Sequence, residues 1–465
     1  MEKTLSTKAA ATYGLSAVGK DMMFMLTSSY VLYYFQDVLG TSAWAMGIIL
    51  LCARIFDAFN DPIMGVITAK TKTKWGKFRP WLLIGTGLNS IITVIMFAAP
   101  RDLGPKGLVA YAAITYILWG VTYTMADIPF WSMVPSMTTP GKERERLTQV
   151  GRTCATIGGA IVTVAAMVCV MALGNGDERV GFKWYAVIIS VFTFVAMLGV
   201  CFTMKEKSTE NIETTSVKYM FKALFKNDQA LTMALTIILI NTAFYITANL
   251  AIYFYKYAIG GEGWYNNYTM FAVVGGSFQA LSMIFFFPLL RKRMRAISVF
   301  KTALIGAAIG YVIFTIIVFL HLHHYFLYIP AAIIFSCNGL LMVLLTIFLA
   351  DSVDYGEYKN GNRDESVIFS IQTLVVKFAS GVSALVASIC ISTFHISKDT
   401  SHVAGQLLQG SALRGLEITI TIVPMIIFIF AAIVFIKKYN LTEEKMETIT
   451  SALNARKENK DTEGE

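Results

Sequence analysis

The chain has 465 residues, of which 55% are apolar and only 15% charged, with a mean hydropathy of +0.59 and a formal net charge of +9. Soluble domains carry about 25% charged residues, so a soluble enzyme is excluded and an all-α integral membrane protein in a lipid bilayer is expected. The positive balance calls for no nucleic acid, because cytoplasmic loops of membrane proteins collect Lys and Arg. Six cysteines, at 52, 154, 169, 201, 337 and 390, fall within apolar stretches without a CxxC spacing. They read as small buried residues, neither a disulfide framework nor a metal site.

Twelve spans are predicted, near 10–37, 42–69, 80–99, 107–136, 148–174, 184–204, 230–258, 267–290, 297–320, 326–351, 366–396 and 412–437. Met1–Lys8 shows no cleavage pattern, so the first span is expected to act as its own insertion signal. Five basic residues in Lys70–Arg79 (KTKTKWGKFR), three in Lys142–Arg146 and four in Arg291–Arg295 mark one side of the membrane. The alternate loops are poorer in Lys and Arg, which places both termini in the cytoplasm. The basic loops after spans 2 and 8 hold equivalent places, which suggests two pseudo-symmetric six-helix bundles, 1–204 and 230–438. A polar, lysine-rich cytoplasmic linker, 205–229, joins them, and a charged tail, 439–465, follows as a helix or a disordered segment.

Charge inside the spans is what points to function. Span 1 contains Lys20 and Asp21, softened by Tyr13, Gly14, Ser28 and Ser29, and a span this polar normally faces a cavity. Span 2 contains Arg54, Asp57, Asn60 and Asp61 in the run ARIFDAFNDP. Arg54, Asp57 and Asp61 follow i, i+3, i+7 spacing and share one face. A charge at bilayer depth costs about 2.5–3.5 kcal/mol on insertion scales, so such groups pair, face water or hold an ion. An Arg–Asp pair alone leaves one carboxylate over, and two carboxylates a turn apart repel until a cation or proton intervenes. The stretch therefore reads as a cation site.

In span 4, Tyr123, Asp127 and Trp131 stand at i, i+4, i+8 on one stripe. A carboxylate can accept hydrogen bonds from vicinal hydroxyls while an indole stacks on a sugar's C–H face, so the stripe reads as a sugar site. An interfacial aromatic belt would explain a lone Trp, but not an aspartate between aromatics. Span 5 opens with Arg152, placed to meet Asp21 or Asp127, or else to snorkel to the surface. His321, His323 and His324 form an H-x-H-H cluster that reads as an exposed outer loop, since no carboxylate or Cys accompanies it in sequence. Asp351 and Asp354 close span 10 among acidic residues and, with Arg363 nearby, can pair with Arg144 and Arg295 as a cytoplasmic gate; solvated loop charges are the alternative. Span 11 carries Lys377 near its midplane, which needs an acidic partner. The second half is otherwise nearly free of buried charge, so ionic chemistry is expected in the first.

The segments ARIFDAFNDPIMG, TKTKWGKFRPW, ITYILWGVTYTMADIPFWSMVP, ADSVDYGEYK and SIQTLVVK resemble the glycoside–pentoside–hexuronide:cation symporters of the major facilitator superfamily, closest to the melibiose permease branch. The resemblance covers nearly the whole chain, and WGKFRPW with DAFNDP is specific to that family. It implies the major facilitator fold and symport of a galactoside such as melibiose with Na⁺, with Li⁺ or H⁺ as other ions. It further implies that Asp57 and Asp61 coordinate Na⁺ with help from Asn60 and Thr124. By the same resemblance Asp21, Asp127 and Arg152 bind sugar hydroxyls, and Lys20, Tyr123 and Trp131 line the pocket. Lys377 corresponds to the lysine near the cation site, and Arg54 pairs helices. Where that branch has a sugar-facing tryptophan on span 10, this chain has Met342.

Other classes remain. A proton-coupled carrier of a β-galactoside, pentoside or glucuronide fits the same pattern. A membrane sugar sensor is disfavoured because no signalling domain follows span 12. A membrane enzyme is disfavoured because no nucleophile–base pair, HExxH spacing or nucleotide loop is found. No cofactor is expected beyond the transported ion. The chain is expected to work as a monomer in a bacterial cytoplasmic membrane.

Overall fold

The computed structural model describes residues 7–138, 142–204, 217–361, 365–396 and 407–463, and among these there is no strand. The first six helices are α1 (Thr7–Tyr33), α2 (Ala43–Lys70), α3 (Arg79–Met96), α4 (Pro105–Met137), α5 (Lys142–Leu173) and α6 (Glu178–Thr203). A short α7 (Val217–Lys226) precedes α8 (Asp228–Tyr253), α9 (Trp264–Leu281), α10 (Phe287–Arg291) and α11 (Ala296–Phe319). The chain closes with α12 (Tyr328–Asn360), α13 (Glu365–Thr393), α14 (Gly410–Lys438) and α15 (Glu443–Glu463). Each of the twelve expected spans is a helix, and among the described residues eleven are long and apolar enough to cross a membrane. The exception is α1, where Lys20 and Asp21 break the apolar run.

Local chemistry sets the ends. Ser42 accepts from Ala45 N at 3.4 Å ahead of α2, and Asn227 from Ala230 N at 3.0 Å ahead of α8. Asp177 accepts from Arg179 N and Val180 N, which starts α6 six residues before the expected 184 and makes Glu178 and Lys183 helical. Helix α12 likewise runs nine residues past the expected 351, to Gly361 in the left-handed conformation (φ 77°). The acidic Asp351–Glu357 run is therefore helix, not loop. Of the expected linker, residues 217–226 are helical and 205–216 lie outside the described residues.

By contacts the chain divides into two units. The first holds Met1–Thr214 with Gly261–Thr269 and Ile391–Gln406, and the second holds Thr215–Gly260, Met270–Cys390 and Leu407–Glu465. In the first unit α1 packs on α5 and α6, α3 on α4 and α6, and α2 on α4. At Gly158 of α5 a Cβ would fall on the Val18 carbonyl oxygen, so this crossing needs a glycine. Two apolar layers flank the middle of the unit. One surrounds Tyr13, whose ring stacks on Phe130 at 4.4 Å amid Leu82, Met133, Leu147 and Met197. The other gathers Tyr30, Tyr33, Tyr34, Phe97 and Phe182, with Tyr33 OH donating to Glu178 Oε2 at 2.6 Å. Between them lies a polar layer at Lys20 and Asp21.

In the second unit α8 packs on α14 and α12, and α11 on α12 and α14. Phe300, Phe348, Phe435 and Tyr439 stack near the α15 end, while Thr247 and Tyr311 share a hydrogen bond of 2.7 Å in the interior. The two halves repeat a detail: α1 and α8 each loosen into a π-helical turn, Tyr34–Val38 and Phe254–Ile259, followed by a positive-φ glycine, Gly40 or Gly260. The sequences YYFQDVLG and YFYKYAIG match at these ends, which supports the internal repeat.

Candidate functional site

The predicted residues of α1, α2, α4 and α5 come together inside the first unit. Lys20 is 4% exposed, and its Nζ donates to Asp127 Oδ1 at 2.6 Å, to Tyr123 OH at 3.0 Å and to Asp21 Oδ1 at 3.4 Å. Asp127 Oδ1 also accepts from Trp131 Nε1 at 3.1 Å and Tyr123 OH at 3.4 Å. The i, i+4, i+8 stripe thus converges on one carboxylate oxygen. The Lys20 ammonium lies 5.2 Å from the Tyr123 ring centre and 5.5 Å from that of Trp131, so the aromatics also offset its charge. Exposed Arg152 places its guanidinium 4.0 Å from the Trp131 ring centre, which leaves one face of the indole shielded and its N–H on Asp127.

One turn further along α4 lies the second group. Arg54 Nη1 donates to Asp57 Oδ2 at 3.2 Å, with both side chains buried. The rings of Phe24 and Tyr116 stand 5.9 and 5.8 Å from the Arg54 guanidinium. Thr124 Oγ1 donates to Asp61 Oδ1 at 2.9 Å, joining α2 to α4. A Cβ at Gly120 would come within 3.1 Å of Asp57 Oδ1, so the glycine allows the carboxylate against α4. Pro62 inside α2 has no N–H for the Ala58 carbonyl, which frees an acceptor within the turn that carries Asp57 and Asp61. Asn60 Nδ2 is buried without a hydrogen-bond partner among the described residues.

Lys20 thus meets Asp21 and Asp127, Arg54 meets Asp57, and Asp61 is held by Thr124. No three His, Cys, Asp or Glu groups converge as a transition-metal site would require among the described residues. The two carboxylates of α2, with the hydroxyl, amide and carbonyl oxygens near them, form an all-oxygen donor set of the hard type. Phe24, Tyr116 and Gly120 were not legible as site residues: their side chains, or the lack of one, matter only once α1, α2 and α4 are side by side.

The remaining candidates lie in the second unit or beyond the described side chains. Lys377 is half-buried on α13 and Met342 half-buried on α12. Arg363 and the side chain of Arg144 lie outside the described residues. Arg295 pairs with Glu444 of α15 at 2.7 Å, a partner the gate reading did not foresee, because the tail gave no sign of where it docks. Asp351 lines a cavity of about 530 Å³ with Arg291, Phe348 and Glu443, and Asp354 is half-buried one turn on. The second half is nearly free of buried charge, as expected, with one exception among the described residues. Glu417 of α14 is 1% exposed, hidden from a sequence reading because it opens an otherwise apolar span.

The MFS/sugar transport protein family model matches residues 12–443. The chain is 30% identical over 464 residues to the raffinose carrier protein of Pediococcus pentosaceus, covering 95% of this chain and 70% of the carrier. It is 27% identical to the lactose permease of Leuconostoc lactis (95% and 71% covered) and 28% identical to the isoprimeverose transporter of Lactiplantibacillus pentosus (94% and 89% covered). Among solved structures, the nucleoside transporter NupG superposes with a TM-score of 0.64 at 12% identity, covering 93% of this chain and 100% of NupG. A bacterial homologue of the human lysosomal transporter Spinster gives 0.62, also at 12% identity, with 93% and 97% covered. At such identity these two likenesses speak for the fold.

Proposed function

Since the chain belongs to the MFS/sugar transport protein family, a family of multi-pass membrane transporters and not of enzymes, we propose that it is a secondary active symporter coupling inward Na⁺ movement to uptake of a galactoside such as melibiose by alternating access. One observation carries the reading: Thr124 and Asp127 are three residues apart on α4, the first bonded to Asp61 and the second to Lys20, Trp131 and Tyr123. The proposed ion ligand Thr124 and the proposed sugar ligand Asp127 therefore share one rigid helix, α4. Na⁺ loaded at Asp57 and Asp61, with oxygens of Asn60 and Thr124, would relieve the repulsion between the two acids and fix α2 against α4. That would preorganise Asp127, and by linkage the sugar would tighten the ion in turn. Sugar hydroxyls would compete with Lys20 for Asp127, while Trp131 stacks on the sugar and Arg152 and Asp21 supply further hydrogen bonds. The chain then sits as a monomer in the bacterial cytoplasmic membrane with both termini inside, as the basic loops at Lys70–Arg79 and Arg291–Arg295 favour.

The test is uptake of labelled melibiose, raffinose and lactose into proteoliposomes at constant pH, with and without an inward Na⁺ gradient. Accumulation of melibiose that requires the gradient supports the reading. A second reading, a proton-coupled carrier of another glycoside, is favoured by Met342 in place of the branch's tryptophan and by relatives named for raffinose, lactose and isoprimeverose. Uptake driven by a pH gradient and indifferent to Na⁺ would decide for it.

A further inference from the structure

The end of the second unit away from α15 holds a feature that the ion and sugar chemistry does not use. Helix α11 ends in two hydrogen bonds, Leu322 N to Ile317 O at 3.1 Å and His321 N to Val318 O at 3.0 Å. This is the Schellman pattern, and its left-handed position, normally a glycine, is filled by His321 at φ 49°. A histidine there is strained, so its side chain has to return something that glycine would not. What it reaches is Glu417: His321 Nδ1 lies 3.5 Å from Glu417 Oε1. The imidazole is 55% exposed and the carboxylate 1%. The other oxygen, Glu417 Oε2, has no hydrogen-bond partner among the described residues, and Arg414 Nη1 stands 3.9 Å away with its guanidinium over the Phe319 ring.

A buried carboxylate with one weak histidine contact and one distant arginine is under-compensated, and a proton is the ligand that settles it. His321 and Arg414 are the charged groups that act on Glu417 among the described residues. From α13 the neighbour at this level is Cys390, whose Sγ lies 3.8 Å from the Gly415 carbonyl, and α8 offers Thr247 to the Ile420 carbonyl at 3.3 Å. His323 and His324 stack on each other at 4.2 Å in the same loop. We propose that His321 and Glu417 form a proton-binding site, distinct from the Asp57–Asp61 pair, that latches the α11–α12 loop to the start of α14. The exposed imidazole takes the proton from bulk solvent, and the imidazolium then closes on the buried carboxylate. Deprotonation releases the loop and leaves Glu417 to Arg414 alone. Histidine titrates within the pH range a bacterium meets, so the latch would report external acidity to the second unit.

The experiment compares wild type, His321→Gly and Glu417→Gln as full-length purified protein between pH 5 and 8. Melting temperature is read in detergent, and KM for raffinose uptake in proteoliposomes at each pH. His321→Gly is the decisive variant, because glycine suits the left-handed cap and the protein should still fold. The wild type should show a one-proton step in melting temperature and a change in KM of about fivefold across the range. Both variants should lose the step and reduce the KM change to less than about twofold. A wild-type step retained in His321→Gly would overturn the proposal, whatever the transported sugar proves to be, since the melting profile needs no substrate.

Discussion

The two units are built from the same six-helix plan and share the loosened ends of their first helices, yet they treat charge in opposite ways. In the first unit α2 places Arg54, Asp57 and Asp61 along one face, and Lys20 and Asp127 meet from α1 and α4. In the second, the span formed by α9 and α10 stands where α2 stands in the repeat and has no Asp, Glu, Lys or Arg between Tyr265 and Leu290. Buried charge costs stability in both, so its concentration in one copy of a repeat marks where binding energy is gathered. Apart from Lys377 within α13, the second unit holds its ion pairs at the two ends, Glu417 with His321 at one and Arg291, Arg295 and Lys359 with Glu443, Glu444 and Asp228 at the other. One unit gathers its charge in the interior; the other holds its ion pairs at its ends.

The sharpest way to break that contrast is to remove one acid at a time from the first unit. Asp127→Ala should abolish sugar binding even in saturating Na⁺, because the oxygen on which Lys20, Tyr123 and Trp131 converge is gone. Asp57→Cys should abolish Na⁺ stimulation while leaving measurable sugar binding. Isothermal titration with each ligand separates them. Tight binding of sugar to Asp127→Ala, or Na⁺ stimulation retained in Asp57→Cys, would move the corresponding site elsewhere in the chain.

How much of this the sequence disclosed follows from what each signal depends on. Hydropathy and loop charge revealed the twelve spans because they are properties of one segment at a time. Asp57, Asp61 and Asp127 stood out for the same reason: a carboxylate in an apolar run is costly by itself. Gly120 and Tyr116 did not, because a glycine facing an aspartate and a ring facing a guanidinium exist only after α1, α2 and α4 have packed. Glu417 was missed although it is buried, since it lies near the start of its span where a solvated end is the ordinary reading. Its histidine partner, 96 positions earlier, was read as lacking a carboxylate for the same want of tertiary information.

Lys20 tests whether the polar layer is held by pairing. Lys20→Met leaves Asp127 without its strongest donor, and because Asp127 is 23% exposed the loss of stability should be about 2 kcal/mol, below the 3–5 of a fully buried pair. The double variant Lys20→Met with Asp127→Asn should recover part of that stability and none of the sugar binding. A single variant as stable as wild type would mean that the layer is hydrated and the pair contributes little. Gly120→Ala should act more gently. Its Cβ would press on Asp57 Oδ1, and a displacement of a few tenths of an ångström should weaken apparent Na⁺ affinity roughly tenfold, about 1.4 kcal/mol, with sugar affinity at saturating Na⁺ nearly unchanged. Equal losses for both ligands would place the disturbance in α4 as a whole.

The smallest effect is expected at the tail, where the second unit's end pairs are most exposed. Glu443 Oε1 accepts from Ala296 N at 3.0 Å, capping α11, and from Arg291 Nη1 at 2.8 Å. The backbone N–H, then the Arg291 guanidinium, hold the Glu443 carboxyl below the ordinary carboxylate range. A carboxyl lowered in the folded state contributes stability above its unfolded value and loses it as pH falls through the folded one. The melting temperature of the wild type should therefore decline below about pH 4.5, with the carboxylate protonating and the α15 contact weakening. Glu443→Gln keeps an acceptor for Ala296 N but not the charge, so it should lose at most about 1 kcal/mol at neutral pH and show a shallower acid limb. The Glu443 side chain is 40% exposed, and solvent screening sets that ceiling. If Glu443→Gln and wild type share the same acid limb, the tail is held by Leu441, Ile449 and Leu453 packing rather than by its charges, and the ionic ends of the second unit reduce to the His321–Glu417 pair alone.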